Sequence, residues 1–500
     1  MPQIPISADS ACLLSPIVYR FLRLAAALAA LVVIAALLAF LPLLWAALLS
    51  LAAAGVIAIL RWPWTVWLLP AAALPLAGSL RLGPVTATEV LLGLAALVWL
   101  LSGAARRRLR TLHHPLLAPL LVYIGLLVLS LWRAPNLGEA AKEVVKWVEF
   151  AVVLCLLPPM VARAGAKWLA AALLAAALGQ ALLGLYQFIF QIGPDWFVVL
   201  GRFMRASGSF RQPNPFAGYL GLTLPVAAAL SLWGIHRLTT EHRTPSVAAW
   251  AAVYGLATAA IAAGLLASWS RGAWLGALVA ALVVLLAFSR QTALWVAAAA
   301  LVLLVAALLG ALNPGWIPAA LTARLQDLPA YFGLTHMLDQ PVTDENFAVL
   351  ERLAHWVAAL RMFALAPWLG VGPGNYETLY PLVRLPIWEE PLGHAHNIYL
   401  NVLAETGLVG LAGFLLFWGS AAAWVGRSAR RTAQMTLQDS WRQALAAGIL
   451  GILAHLAVHS VFDNLFVQGI YLHLAFWFAA LAAAQAPAAA GDNESEVLIC

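Results

Sequence analysis

The chain has 500 residues, 64% of them hydrophobic and only 10% charged, where a soluble globular domain carries roughly 25% charged residues. So little polar surface excludes a soluble monomer. The formal charge of +7 is no nucleic-acid footprint, because the Lys and Arg residues sit in short loops between apolar runs, where they set orientation in a bilayer.

In chain order, the apolar run beginning at Leu22 continues past Leu60, so the N-terminus reads as a first spanning helix rather than a cleavable signal peptide. Stretches approaching the ~20 apolar residues that cross a hydrocarbon core fall near 20–40, 41–60, 63–80, 85–102, 114–132, 147–162 and 168–191. They continue at 213–234, 247–268, 272–289, 292–312, 397–426, 443–462 and 464–484. Several are short and neighbours can merge. The expected fold is all-α, a polytopic transmembrane helical bundle of about 12–14 spans with one long, partly helical external loop. Residues 1–312 would hold about eleven spans. Residues 313–396 would form the external (periplasmic) loop, 397–484 the C-terminal spans and 485–500 a cytoplasmic tail. Cys12, Cys155 and Cys500 show no CxxC spacing and support neither a zinc site nor a disulfide framework.

Orientation follows the basic loops. Arg106, Arg107, Arg108 and Arg110 share one loop, His236 to Arg243 form another, and Arg427, Arg430, Arg431 and Arg442 a third. All three fall on one side with both termini, which is then cytoplasmic. The loop 192–212, the turn at Ser270-Arg271-Gly272 and the segment 313–396 lie outside. That last segment exceeds the ~15 residues beyond which loops are usually functional or disordered, and its Trp, Leu, Phe and Pro content favours order. Phe347 to Leu365 reads as a helix lying at the interface.

Positive charge outside runs against the orientation rule, which draws attention to Arg202, Arg205, Arg211 and Arg271. Arg211 begins Arg211-Gln212-Pro213-Asn214-Pro215-Phe216, and proline favours the first helical turn. Arg271 holds the equivalent place in Ser268-Trp269-Ser270-Arg271-Gly272. Helix starts offer free N–H groups to phosphate, and a guanidinium binds it bidentately. Snorkelling to headgroups or pairing with a carboxylate is the plainer reading, and for Arg202 and Arg205 the favoured one. Gly370-Val371-Gly372-Pro373-Gly374-Asn375-Tyr376 lacks the βαβ context of a dinucleotide loop and reads as a tight turn shaping the outer cavity.

Gly393-His394-Ala395-His396-Asn397 then leads into a spanning helix with Asn397 as a possible cap. A neutral histidine there can accept a proton from a hydroxyl. A His-x-His pair also suits metal, but no nearby carboxylate pair completes a site. Asn397, Asn401 and Glu405 share one helix face, with interhelical hydrogen bonding as the bland alternative. His396 lies about half a turn away from Glu405, which disfavours direct pairing. His455, His459 and Asp463 form a second polar stripe, from which His459 and Asp463 could orient substrate or the His396 loop.

His396-Asn397, nine residues, then Gly407-Leu408-Val409-Gly410 resembles the signature of the bacterial O-antigen ligase and O-antigen polymerase superfamily. The Arg211–Asn214 segment, the Ser270-Arg271-Gly272 turn and the Gly370–Tyr376 turn are similar to other blocks of that family in the same order, over about residues 200–465. The resemblance implies a GT-C-like membrane glycosyltransferase of the inner (plasma) membrane, acting on its external or periplasmic face. It would move a glycan from an undecaprenyl-diphosphate carrier to an acceptor hydroxyl. By carry-over, Arg211 and Arg271 would bind the diphosphate and His396 would be the base. Asn214, Asn397, His394, His459 and Asp463 stand as substrate-binding candidates. The implied partners are the lipid-linked donor, a glycan, lipid or protein acceptor and the lipid bilayer, with no cofactor and no nucleic acid. No Asp-x-Asp motif occurs in the outer loops, Asp344-Glu345 being the nearest approach, so the reaction is expected to be metal-independent and, by direct attack at the anomeric carbon, inverting. A polymerase using a second lipid-linked unit as acceptor is the alternative. A transporter or flippase would place charges at helix midplanes and interrupt facing helices.

Overall fold

The computed structural model describes residues 42–76, 80–82, 85–105, 107, 111, 114–199, 201–240, 244–312, 338, 341–343, 346–430 and 437–486. The first expected span and most of 313–345 lie outside the described residues. The chain divides into two compact units after Pro63. In the first, α1 (Leu43–Arg61) is apolar to its last residue, where Arg61 lies 5.5 Å from the Trp62 ring centroid and complements the negative helix end.

The second unit is helical almost throughout. Residues 63–76 form no single helix: a 3-10 turn (Pro63–Trp67), α2 (Leu68–Ala73) and a second 3-10 turn (Leu74–Leu76) follow one another. Pro70 and Pro75 withhold the N–H groups a continuous helix needs. The pair β1 (Arg81–Leu82) and β2 (Val85–Thr86) precedes α3 (Ala87–Ala105). The Glu89 N–H donates to Thr86 Oγ1 at 3.2 Å while the Thr86 N–H donates to the Glu89 carboxylate, the reciprocal arrangement of a capping box. Next come α4 (Leu117–Ser130) and α5 (Leu137–Phe190).

Helix α5 joins the stretches expected at 147–162 and 168–191, breaking only at Ala162 (φ 54°, ψ −173°). Pro158 and Pro159 just before it weaken the hydrogen-bond ladder. It also begins ten residues earlier than apolarity suggests, because Asn136 caps it by accepting the Gly138 and Glu139 N–H groups. Lys142–Glu139 and Lys146–Glu143 pairs then line its first turns at helical spacing.

The pair β3 (Val198–Val199) and β4 (Phe203–Met204) leads to α6 (Pro213–Gly221), α7 (Leu224–Thr240), α8 (Pro245–Ala267), α9 (Arg271–Phe288) and α10 (Arg290–Leu312). Helix α11 (Phe347–Leu365) has the bounds read from sequence. Then follow α12 (Tyr376–Val383), α13 (Ile398–Ala429), α14 (Leu437–His459) and α15 (Ile470–Gln485). Among the described residues, nine helices are long and apolar enough to cross a membrane, and three shorter apolar stretches lie at Pro63–Leu76, Leu117–Arg133 and Ile470–Gln485. The chain is an all-α, polytopic membrane protein. Its centre is α15, buried on every side from Ile470 to Ala484 and packed along α5; a helix apolar all round belongs in such a core. Helices α9 and α14 form another close pair.

Helix α13 is interrupted at Gly407 (φ 66°), and the interruption fixes the site. A break orphans carbonyls before it and N–H groups after it. Here the segment 367–372 supplies the partners. The Val371 and Gly372 N–H groups donate to Ala404 O and Glu405 O at 3.0 and 2.9 Å, and the Leu408 and Val409 N–H groups donate to Pro367 O and Trp368 O at 2.9 and 3.2 Å. Approach is so close that a Cβ on Gly370 would lie 2.2 Å from the Glu405 carbonyl carbon, and one on Gly407 2.3 Å from that of Trp368. The two glycines of separate motifs are thus halves of one joint.

Candidate active site

The Gly370–Tyr376 turn anchors the site on α5 and α13. Asn375 is fully buried; its Oδ1 accepts the Asn136 N–H at 2.8 Å and its Nδ2 donates to Asn136 O at 3.1 Å. Glu405 Oε1 accepts the Tyr376 N–H at 3.1 Å. Its partner is therefore the turn and not His396, as the helical offset requires.

The His394–Asn397 loop is fastened at several points. Asn401 Oδ1 accepts the Ala395 N–H at 3.0 Å, His394 Nδ1 accepts the His396 N–H at 3.1 Å, and the Ile398 N–H donates to Ser460 O at 2.9 Å. Asn397 caps α13, its Oδ1 accepting the Leu400 N–H at 3.0 Å, a bond typically worth ~1 kcal/mol. These restraints hold His396 at φ 51°, a conformation few non-glycine residues adopt.

His396 Nδ1 lies 3.4 Å from Asp463 Oδ1, with side chains 15% and 8% exposed. Its Nε2 is buried and has no hydrogen-bond partner among the described residues. With the Nδ1 proton directed at the carboxylate, Nε2 presents a lone pair, the arrangement of a general base steadied by an acid. Burial alone would raise the Asp463 carboxyl, but the bond to His396 and the charges of His396, His394 and Arg352 hold it well below the usual range. His394, its ring 4.5 Å from His396, is lowered to about 3 by burial and by the neighbouring His396 charge. Because its Nδ1 accepts a backbone N–H, its own proton sits on Nε2.

Two contributors from α11 were not visible in sequence. His355, with its ring 5.6 Å from that of His396, pairs its Nδ1 with the Tyr376 hydroxyl at 2.9 Å; burial, then His396, lower it to about 4. Arg352 carries positive charge towards Asp463 and His459. His459 itself points inward, its Nδ1 3.2 Å from His455 Nε2.

The arginines divide differently from expectation. Arg271 is the first residue of α9, directly after Ser270 at the N-cap position, and a Cβ on the adjacent Gly272 would meet His459 and Phe462 at 3.0 and 3.1 Å. That places Arg271 beside the Asp463 loop. Arg211 is exposed, directly before α6. Arg205 links the two arginine segments: its Nε donates to Ser268 O and its Nη2 to Asn214 Oδ1, both at 2.8 Å. Gln187 fastens the same loop, its Oε1 accepting the Ser207 and Gly208 N–H groups at 3.0 and 2.7 Å.

His394, His396 and Asp463 bring ligand-type atoms within 4.8 Å of one another. Asp463 supplies a carboxylate that the local sequence around the histidines lacks, a donor set of the two-histidine, one-carboxylate kind.

Residues 256–415 match the model of the O-antigen ligase family. Over that stretch the chain is similar to the O-antigen ligase family. The match spans Arg271, the Gly370–Tyr376 turn and His396, while Arg211, Asn214, His459 and Asp463 lie outside it. It supports a ligase- or polymerase-like, glycosyltransferase-like membrane enzyme. Among curated proteins, none matches the chain.

Proposed function

We propose that this protein transfers a glycan from an undecaprenyl-diphosphate carrier to an acceptor hydroxyl on the external face of the inner (plasma) membrane. The observation that carries the reading is His396 Nε2, a buried ring nitrogen with no partner among the described residues, whose opposite nitrogen faces Asp463. The acceptor hydroxyl would give its proton to Nε2 as its oxygen bonds to the anomeric carbon. The bond from that carbon to the diphosphate breaks, the electron pair leaving with the phosphate, and configuration inverts. Arg271, with Arg211 and Arg205 at the neighbouring helix mouth, would stabilise the departing charge. Asp463 would stabilise the imidazolium.

We read the step as metal-independent: the Nδ1 atoms are engaged, that of His394 by a backbone N–H and that of His396 by Asp463, so a metal would compete with the acceptor proton for His396 Nε2. A transporter would also have interrupted helices, and α5 and α13 are interrupted. The backbone groups exposed at Gly407 nevertheless bond to the 367–372 segment, which speaks for a structural joint rather than an ion site.

The test is reconstitution with a lipid-diphosphate oligosaccharide and several acceptors. A product ladder would indicate polymerase and a single transfer ligase; full transfer by both His396→Ala and Arg271→Ala would overturn the assignment. Activity lost to a chelator and restored by a divalent ion would overturn the metal-free step.

A further inference from the structure

A cavity of about 460 Å³ opens beside His394, within the 300–1,000 Å³ typical of small-molecule sites. It lies between the first turns of α5, the Gly370–Tyr376 turn, the start of α13 and residues 464–467. Glu143, Lys146, Glu377, Thr378, Asn401 and Glu405 give it a polar wall, and Trp147, Phe414 and Phe466 an apolar side. Trp147 stacks on Phe466 with centroids 5.6 Å apart.

The wall favours one ligand chemistry. The lining cations Lys142 and Lys146 are paired with Glu139 and Glu143 at 2.6 and 2.5 Å, and the remaining carboxylates Glu377 and Glu405 disfavour phosphate. Carboxylates and an amide accept hydrogen bonds from hydroxyls, while aromatic side chains suit the C–H face of a sugar ring through their electron-rich π faces. His394 adds an Nε2–H donor by the tautomer argument above. The cavity borders the pair closely: it is lined by His394, whose ring is 4.5 Å from that of His396, and by Asn464, the residue after Asp463.

We propose that this cavity is the acceptor's sugar subsite, holding a pyranose residue of the acceptor by its hydroxyls so that one of them reaches His396 Nε2. The assignment rests on the transferase reading and extends it to residues 139–147, which none of the four recognised motifs includes.

Saturation-transfer NMR on the full chain in nanodiscs, with methyl β-N-acetylglucosaminide, methyl α-rhamnoside and methyl β-galactoside as probes, tests the subsite without catalysis. At least one glycoside should bind both the native protein and His396→Ala, and lose binding in Glu143→Gln and in Thr378→Trp. Thr378 is exposed on the cavity rim, so its replacement fills space without disturbing the core. In transfer assays, Glu143→Gln should raise the acceptor KM about tenfold, the scale of one hydrogen bond to a charged group, with the donor KM unchanged. No binding by any of the three glycosides, or binding unaltered in both variants, overturns the subsite. A raised donor KM with an unchanged acceptor KM reassigns the cavity to the donor's glycan. Absence of transfer with every donor defeats the transferase reading, whereas glycoside binding on His396→Ala is judged independently.

Discussion

Asp463→Asn separates a carboxylate that stabilises an imidazolium from one that merely fills space. The two side chains are isosteric, so packing is preserved while the charge is removed. At 3.4 Å and an effective dielectric near 20, the attraction between imidazolium and carboxylate is at most about 5 kcal/mol. A hydrogen bond to a charged group nets about 1.5–3 kcal/mol, and the long contact here argues for the lower half of that range. At about 1.4 kcal/mol per tenfold, kcat should fall about 10- to 50-fold, less than the 10²–10⁴-fold that a base contributes and His396→Ala should remove. Donor and acceptor KM should stay close to native. Single-turnover transfer in nanodiscs reads the chemical step directly, and the thermal midpoint of the variant checks that it folds. Because Asp463 is held well below the carboxylate range, it stays ionised between pH 5 and 8, so the native rate should show no acid limb from it there. A kcat within twofold of native, or a loss confined to donor KM, would refute the dyad.

Arg205→Lys should raise the donor KM several-fold more than Arg211→Lys, since Arg205 makes two directed bonds that an ammonium cannot reproduce together; equal effects in donor titrations would place both arginines in bulk electrostatics. Gly407→Ala should destabilise the chain by more than about 3 kcal/mol, because its Cβ would meet backbone at 2.3 Å and φ is positive; a native thermal midpoint would contradict the joint. His355 is buried neutral, lowered to about 4 from an unfolded value of about 6.5. The unfolded chain therefore binds the extra proton, and stability falls as pH drops from about 6.5 towards 4. His355→Gln should flatten that slope by up to about 1.4 kcal/mol per pH unit, measurable as thermal midpoint against pH.

Apolar length and helix punctuation made most of the bundle legible, α11 to the residue. They failed where polarity and helicity part company: residues 137–146 are charged, yet Asn136 and the i,i+3 ion pairs make them helical, and 63–76 is apolar yet broken by proline. Within the candidate site, His396 emerged from motif spacing, and Asp463 from a helical stripe. His355 and Arg352 did not emerge, because neither lies in a motif and their approach to His396 depends on how α11 packs on α13. Arg205 reads as the weaker arginine in sequence, since its bond to Ser268 O spans 63 residues and no local pattern reports it.

The spacing of the His396-Asn397-x9-Gly407 motif has a mechanical reading. Residues 398–406 form a rigid piece about 14 Å long at 1.5 Å per residue, bounded by the Asn397 cap and the Gly407 break. One end carries the loop that strains His396 to φ 51°, at a cost of ~1–3 kcal/mol. The other end receives the 367–372 segment through four backbone hydrogen bonds. Asn401 and Glu405 project between them, tying the loop at Ala395 and the turn at Tyr376. His396 and the cavity wall are therefore tied to one short element, and neither can shift without the other. An added or deleted residue in 398–406 would rotate Asn401 against the loop by about 100°, so the interval is constrained at both ends by contacts rather than by the length of a membrane span.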